Sequence, residues 1–208
     1  MKMSCKKIKA AVLVSGGGTN LQALIDAQSS GKIKSAELSL VISNKVGAYA
    51  LERAARANIE AITITRAECG SQEIFEERLI EALESRGIEL IVLAGFMSIL
   101  SERFTATYEN RIINVHPSLI PSFCGKGYYG LKVHEAALAY GVKVTGATVH
   151  FVNEIPDGGR IILQKSVPVK PGDTPEILQK RVMERAEWII LPRACEIVSK
   201  SLIKKRDK

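Results

Sequence analysis

Ala10-Ala11-Val12-Leu13-Val14-Ser15-Gly16-Gly17-Gly18-Thr19-Asn20 is a short apolar, β-rich run broken by three consecutive glycines. Residues 20–27 follow with Leu21, Leu24 and Ile25 on one helical face, so the stretch predicts a strand, a tight turn and a helix. The same alternation continues outward. Residues 37–42, 61–65, 90–93 and 111–115 are further β-rich runs, and 48–57 and 72–85 carry helical spacing between them. Strands alternating with helices at this spacing predict βαβ units and a largely parallel sheet. The later chain differs: residues 145–152 and 160–169 are β-rich and separated only by 153–159. No helix fits in that gap, so these two runs are expected to pair antiparallel. Residues 174–203 read as one long C-terminal helix, bent at Pro192. The expected fold is α/β, a single-domain, mostly parallel, doubly wound sheet with an antiparallel C-terminal edge. The expected division within that one domain, 1–208, is a phosphate-binding half, 1–115, and a catalytic half, 116–208, ending in the basic tail 204–208.

Composition agrees with a globular domain. The chain has 208 residues, 46% hydrophobic and 25% charged, enough to bury a core without disulfide or metal staples. Its net charge is +7, which raises the question of a nucleic-acid partner. The two ends account for that surplus: Lys2, Lys6, Lys7 and Lys9 open the chain, and Lys204, Lys205, Arg206 and Lys208 close it against Asp207 alone. The body is therefore nearly neutral, and aromatic residues are only 5% of the chain, so no basic field interleaved with stacking rings is expected. The longest apolar stretch, 88–100, is interrupted by Glu89 and Ser98, so no membrane span is expected. No secretion signal is read at the N-terminus. Cys5, Cys69, Cys124 and Cys195 lie far apart and form no metal or disulfide framework, which points to the cytoplasm and to no metal.

Three segments carry chemistry. The glycine loop is neither a dinucleotide fingerprint, because Leu21 stands where the third glycine belongs, nor a P-loop, because no Gly-Lys-Ser/Thr follows. Glycines at a helix start bare backbone N–H groups, and Thr19 and Asn20 add side-chain donors, so the loop suits one phosphate group. Asn114 and His116 are two apart near the end of a strand and point to one sheet face. Alone, they fit a hydrogen-bonded core pair as well as a functional one. Asp157, in Asn153-Glu154-Ile155-Pro156-Asp157-Gly158-Gly159, alone reads as turn chemistry. Together, a carboxylate would raise the pKa of the imidazole and an amide would bind an oxyanion. With no serine or cysteine nucleophile in the set, this suits attack by an external amine on a carbonyl. His134 is read as opening a helix and His150 as a structural residue within a strand.

Ser15 to Gln22, Leu93 to Met97, Asn114 to Pro121, and Thr145 to Val152 with Asp157-Gly158-Gly159 together resemble the phosphoribosylglycinamide formyltransferase family. These are folate-dependent enzymes of purine synthesis, and the resemblance spans nearly the whole chain. It implies formyl transfer from 10-formyltetrahydrofolate to the amine of glycinamide ribonucleotide. It implies that Gly18, Thr19 and Asn20 bind the ribonucleotide phosphate and that Glu187 holds its ribose. Phe96, Met97, Ser98, Ile99 and Leu100 would line the folate pocket with Asn114, and Asn153, Glu154, Ile155, Pro156 and Asp157 would close over it. Asn114, His116 and Asp157 would be catalytic. Residues 123–132 form a longer segment than in many members and suit a lid. The family's basic residue for the folate tail has no clear counterpart; Gln72 stands near its place and Arg66 is a nearby substitute. The expected partners are these small molecules, with the chain a monomer or weak homodimer. The related formyltetrahydrofolate deformylases and methionyl-tRNA formyltransferases carry an additional domain, which this length is not expected to hold. A sugar-nucleotide formyltransferase fits the phosphate-suited loop less well, and a merely binding module would not need the catalytic set.

Overall fold

A computed structural model describes residues 7–207; Lys2, Cys5, Lys6 and Lys208 lie outside them. The seven strands lie in the order β3-β2-β1-β4-β5-β6-β7. By packing, the described residues form two compact units: those up to Leu100 with those from Cys195 on, and Ser101–Ala194.

The first unit is the doubly wound one. It runs β1 (Ile8–Val14), α1 (Thr19–Ser29), β2 (Ala36–Ser43), α2 (Tyr49–Arg56), β3 (Glu60–Thr63), α3 (Arg66–Cys69), α4 (Gln72–Glu84) and β4 (Leu90–Leu93). β1 pairs in parallel with β2 and β4, and β2 with β3. A parallel strand flanked on both sides is covered on both faces, which is why β1 is apolar without a break from Ala10 to Val14 rather than alternating. Ile8, Ala10, Ala11, Val12, Leu13 and Val14 are all fully buried. Leu21, Leu24 and Ile25 of α1 and Phe75, Leu79 and Leu83 of α4 supply helical core faces. Ser71 caps α4 by accepting the Ile74 N–H. α3, a single turn closed by a Thr65/Glu68 capping box, is too short to leave a periodic signal and was not expected.

The second unit holds α5 (Glu102–Thr107), β5 (Ile112–His116), α6 (Leu131–Tyr140), β6 (Val144–Phe151), β7 (Ile161–Pro168), α7 (Pro175–Val182), a π-helical turn (Met183–Glu187) and the first residues of α8 (Trp188–Arg206). β5 and β7 both pair antiparallel with β6, as the short 153–159 connection predicts. The C-terminal segment departs from the single helix expected over 174–203. Its winding widens at Met183–Glu187, while Pro192 sits inside α8. A π turn inserts one residue and re-aims the helix beyond it, a change that hydrophobic periodicity does not register. α6 begins at Leu131, so His134 lies within its first turn rather than at its start.

α7 is anchored by an ion pair. Arg181 donates to both Asp173 oxygens, at 2.5 and 2.6 Å, and to the Pro168 carbonyl at 3.0 Å. The Arg181 guanidinium, with the Lys170 N–H, holds the Asp173 carboxyl well below its ordinary 3.8, at about 2. A lowered folded-state value means that the stabilisation is present above the ordinary value and lost as pH falls towards 2. Asp173→Asn is expected to lower the urea midpoint at pH 6 and to bring it close to the parent's at pH 2. A constant difference from pH 6 to pH 2 would exclude this pair as the source.

Candidate active site

The glycine loop follows β1 directly. Gly18 is the N-cap of α1 with a left-handed backbone (φ 71°), and its carbonyl accepts the Gln22 N–H. A Cβ there would lie 2.7 Å from the Ala50 Cβ, so both the conformation and the packing against α2 demand glycine. Gly16 and Gly17 are exposed, which leaves the turn open to solvent. Arg53 of α2 fastens it from one side, donating Nε to the Gly17 carbonyl (2.8 Å) and Nη1 to Gln22 Oε1 (3.0 Å). Asn20 is buried at the start of α1.

In the same unit, the turn after β4 is left-handed at Gly95 (φ 73°). It exposes Met97 (50%) and Ile99 (68%), half-buries Phe96 and Ser98, and buries Leu100. Gln72 is committed within this region: its amide donates to Glu76 Oε1 (2.7 Å) and to the Ile99 carbonyl (3.2 Å). It therefore braces the turn. Arg66 opens α3.

The second unit gathers Asn114, His116 and Asp157. Asn114 and His116 share a face at the end of β5, and antiparallel register sets Asn114 opposite His150 and His116 opposite Thr148. Asp157 is left-handed (φ 57°) in the turn after β6, a conformation that Asp tolerates better than most residues. Gly158 and Gly159 follow because a Cβ on the first would strike Ile155 and one on the second the Phe151 carbonyl. The turn brings one carboxylate to two imidazoles: Oδ2 lies 3.4 Å from His116 Nδ1, and Oδ1 lies 3.5 Å from His150 Nε2. Asp157 Oδ2 also accepts the Gly125 N–H at 2.8 Å.

His150, read from the sequence as structural, is the member of this cluster that the sequence did not reveal. Its Nδ1 is 2.7 Å from the Phe151 carbonyl, which can only accept, so Nδ1 carries the proton. Its Nε2 lies 3.2 Å from Asn114 Nδ2 and 3.5 Å from Asp157 Oδ1. A peptide carbonyl thus fixes the ring on one side, and its other nitrogen faces the Asn114 amide and the Asp157 carboxylate together. The only available signal was the β5/β6 register, which a single sequence does not fix.

Electrostatics separate the partners. Burial pushes the Asp157 carboxyl up, but the His150 and His116 imidazoles and the Gly125 N–H outweigh it, so the group stays below its usual range. Burial pushes His116 down, and the Asp157 charge and the Phe123 carbonyl only partly restore it. The expected raised imidazole pKa is therefore corrected: desolvation wins, and the resting ring is neutral at neutral pH. His116 Nε2 donates to the Phe123 carbonyl at 2.8 Å. Segment 123–132 thus touches both His116 and Asp157, through Phe123 and Gly125. His134 is buried in α6, and burial, with the nearby His116, lowers its pKa to about 4.

Comparison with known proteins identifies the arrangement. Residues 8–195 match the formyl transferase family. Phosphoribosylglycinamide formyltransferase of Haemophilus influenzae is 41% identical over 96% of this chain and 91% of its own length. The chain belongs to the phosphoribosylglycinamide formyltransferase family. Glycinamide ribonucleotide transformylase 1 from Symbiobacterium toebii superimposes with a TM-score of 0.87 at 42% identity, covering 94% of this chain and 89% of that one. The trifunctional purine biosynthetic protein adenosine-3 of Gallus gallus is 46% identical over 97% of this chain, which spans only 19% of that longer protein.

Among phosphoribosylglycinamide formyltransferases, then, this chain presents Glu154, Ile155 and Pro156 to solvent, with Asn153 half-buried. Asn153 Oδ1 accepts the Ile155 N–H at 3.1 Å and shapes the turn that carries Asp157. Glu187 is buried in the π-helical turn. Among the described residues, no cluster of His, Cys, Asp and Glu could hold a metal ion, and no helix is long and apolar enough to cross a membrane.

Proposed function

We propose that this protein transfers the formyl group of 10-formyltetrahydrofolate to the amine of glycinamide ribonucleotide, in the cytoplasm, as a monomer or weak homodimer. The observation that carries the reading is the Asn114–His116–Asp157 set, with the Asn114 amide facing His150. In the first unit, Gly18, Thr19 and Asn20 are assigned to the phosphate and Phe96 to Leu100 to the folate. The second brings the catalytic set, the Asn153–Asp157 turn over the folate, and Glu187 towards the ribose.

The amine nitrogen attacks the formyl carbon, a C–N bond forms, and the carbonyl electron pair moves onto oxygen. Asn114 and His116 donate to that oxyanion. Negative charge beside the imidazole favours its protonated form, so His116 becomes charged as the intermediate forms. When the oxyanion collapses, the bond from carbon to the folate nitrogen breaks and the pair stays on that nitrogen. The proton lost by the amine reaches His116 through water as the oxyanion forms, ionised Asp157 is the countercharge for the imidazolium, and His116 returns that proton through water to the leaving nitrogen. One hydrogen-bond donor removed from such an oxyanion costs about 3–4 kcal/mol.

The test offers glycinamide ribonucleotide and water as competing acceptors. Formylated ribonucleotide in step with tetrahydrofolate supports the reading; formate alone would replace it with hydrolysis. Gly18→Ala tests the phosphate seat: its Cβ displaces the loop from Ala50, and we expect KM for the ribonucleotide to rise about tenfold or more, equivalent to 1.4 kcal/mol, with KM for the folate much less changed. Equal changes in both constants would remove the loop from phosphate binding.

A further inference from the structure

Ser15 stands where the β1 ladder ends, in contact with the two segments assigned to different substrates. On the β4 side the ladder closes with the Ala94 N–H donating to the Leu13 carbonyl at 2.9 Å. Gly95, left-handed, then takes the chain out of register, and no main-chain partner on β1 continues the pairing. The Ser15 side chain takes over, its Oγ accepting the Met97 N–H at 2.7 Å. On the β2 side the Asn44 N–H donates to the Val14 carbonyl at 3.3 Å, and the Asn44 side chain then reaches Ser98, Nδ2 to Oγ, at 2.7 Å. The turn 95–100 is thus held by side chains, with Gln72 on the Ile99 carbonyl as the third.

Ser15 differs from Asn44 and Gln72 in being the first residue of the glycine loop itself. It is buried, with 6% of its surface exposed. A hydroxyl accepts and donates at once. Here the acceptor side is used by Met97, and the hydroxyl proton has no acceptor among the described residues. An anion seated on the loop would supply one. A hydroxyl that donates to an anion becomes a stronger acceptor, because linked hydrogen bonds polarise one another.

We propose that Ser15 is a positioning residue that couples the two substrate seats: a phosphate on the glycine loop tightens the Ser15–Met97 bond and sets the turn 95–100 for the folate. The proposal rests on the assignment of the loop to the ribonucleotide phosphate and of the turn to the folate. Coupling is reciprocal, so the folate raises ribonucleotide affinity by the same factor.

The test is a binding cycle, titrating a formyl-folate analogue that cannot transfer its group, with and without saturating glycinamide ribonucleotide. In the parent chain the ribonucleotide is expected to raise analogue affinity about fivefold or more, and in Ser15→Ala by less than about twofold. Inorganic phosphate should reproduce part of the enhancement, and glycinamide riboside, which lacks the phosphate, none. Ser15→Thr, which keeps the hydroxyl, should restore the coupling. Ser15→Cys, close in size but a weak donor and acceptor, should behave as Ser15→Ala and serves if that variant folds poorly. Undiminished coupling in Ser15→Ala or Ser15→Cys, or no coupling in the parent chain, would overturn the proposal. Failure of the parent chain to bind either ligand would instead overturn the substrate assignment beneath it, and formyl-transfer activity in the same preparation separates the two failures.

Discussion

Asp157→Asn is expected to fold as the parent chain does and to lose about a thousandfold in turnover, within the range for removal of a positioned acid–base group. The substitution is nearly isosteric, and the left-handed backbone at 157 suits Asn as well as Asp. What it removes is charge. The carboxylate lies 3.4 Å from His116 Nδ1 and 3.5 Å from His150 Nε2, and in the proposed mechanism it is the countercharge for the imidazolium that forms beside the oxyanion. An amide offers at most one acceptor oxygen, and its NH2 turns a donor towards one of the two rings. The retained oxygen can still accept from Gly125, so segment 123–132 should keep its place and the loss should fall on kcat rather than on KM. Turnover within tenfold of the parent enzyme would remove Asp157 from the chemistry.

The second large effect is on the fold. Gly146→Ala, in β6, is expected to cost about 3 kcal/mol or more, the upper range for overpacking a well-packed site. For a domain of this size that is a fall in Tm of roughly 6–12 °C. The backbone there needs no left-handed angle. A Cβ at 146 would strike the Lys165 carbonyl on β7 and lie 2.9 Å from Leu119 Cδ2. A backbone carbonyl in a paired strand cannot swing aside as a side chain can, so the ladder between β6 and β7 must part locally. Thermal melts of the purified variant measure this, and an unchanged Tm would show that β7 yields freely.

Most of the fold was legible because its signals are local. Glycines mark the turn after β1, helical spacing marks α1 and α4, and a connection too short for a helix leaves β6 and β7 no choice but to pair antiparallel. The elements that went unseen, α3, α5 and the π-helical turn, are too short or too irregular to repeat a pattern. The site divides the same way. Asn114 and His116 show their shared face through a spacing of two. His150 became part of the site only through the register opposite Asn114, and the neutral resting state of His116 depends on burial. Neither quantity exists in a string of letters. Gln72, read as a place for a folate tail, is a brace because Glu76 and the Ile99 carbonyl already occupy its amide.

With His116 in its proposed role, the Phe123 carbonyl on Nε2 bears on how catalysis discriminates between substrate and transition state. An uncharged formyl oxygen arriving at that nitrogen exchanges one neutral carbonyl acceptor for another and gains almost nothing. The oxyanion, as a charged acceptor, binds the same N–H about twice as strongly. The peptide carbonyl thus cancels ground-state affinity while leaving the affinity for the developing charge, which is the condition under which binding energy raises kcat rather than lowering KM.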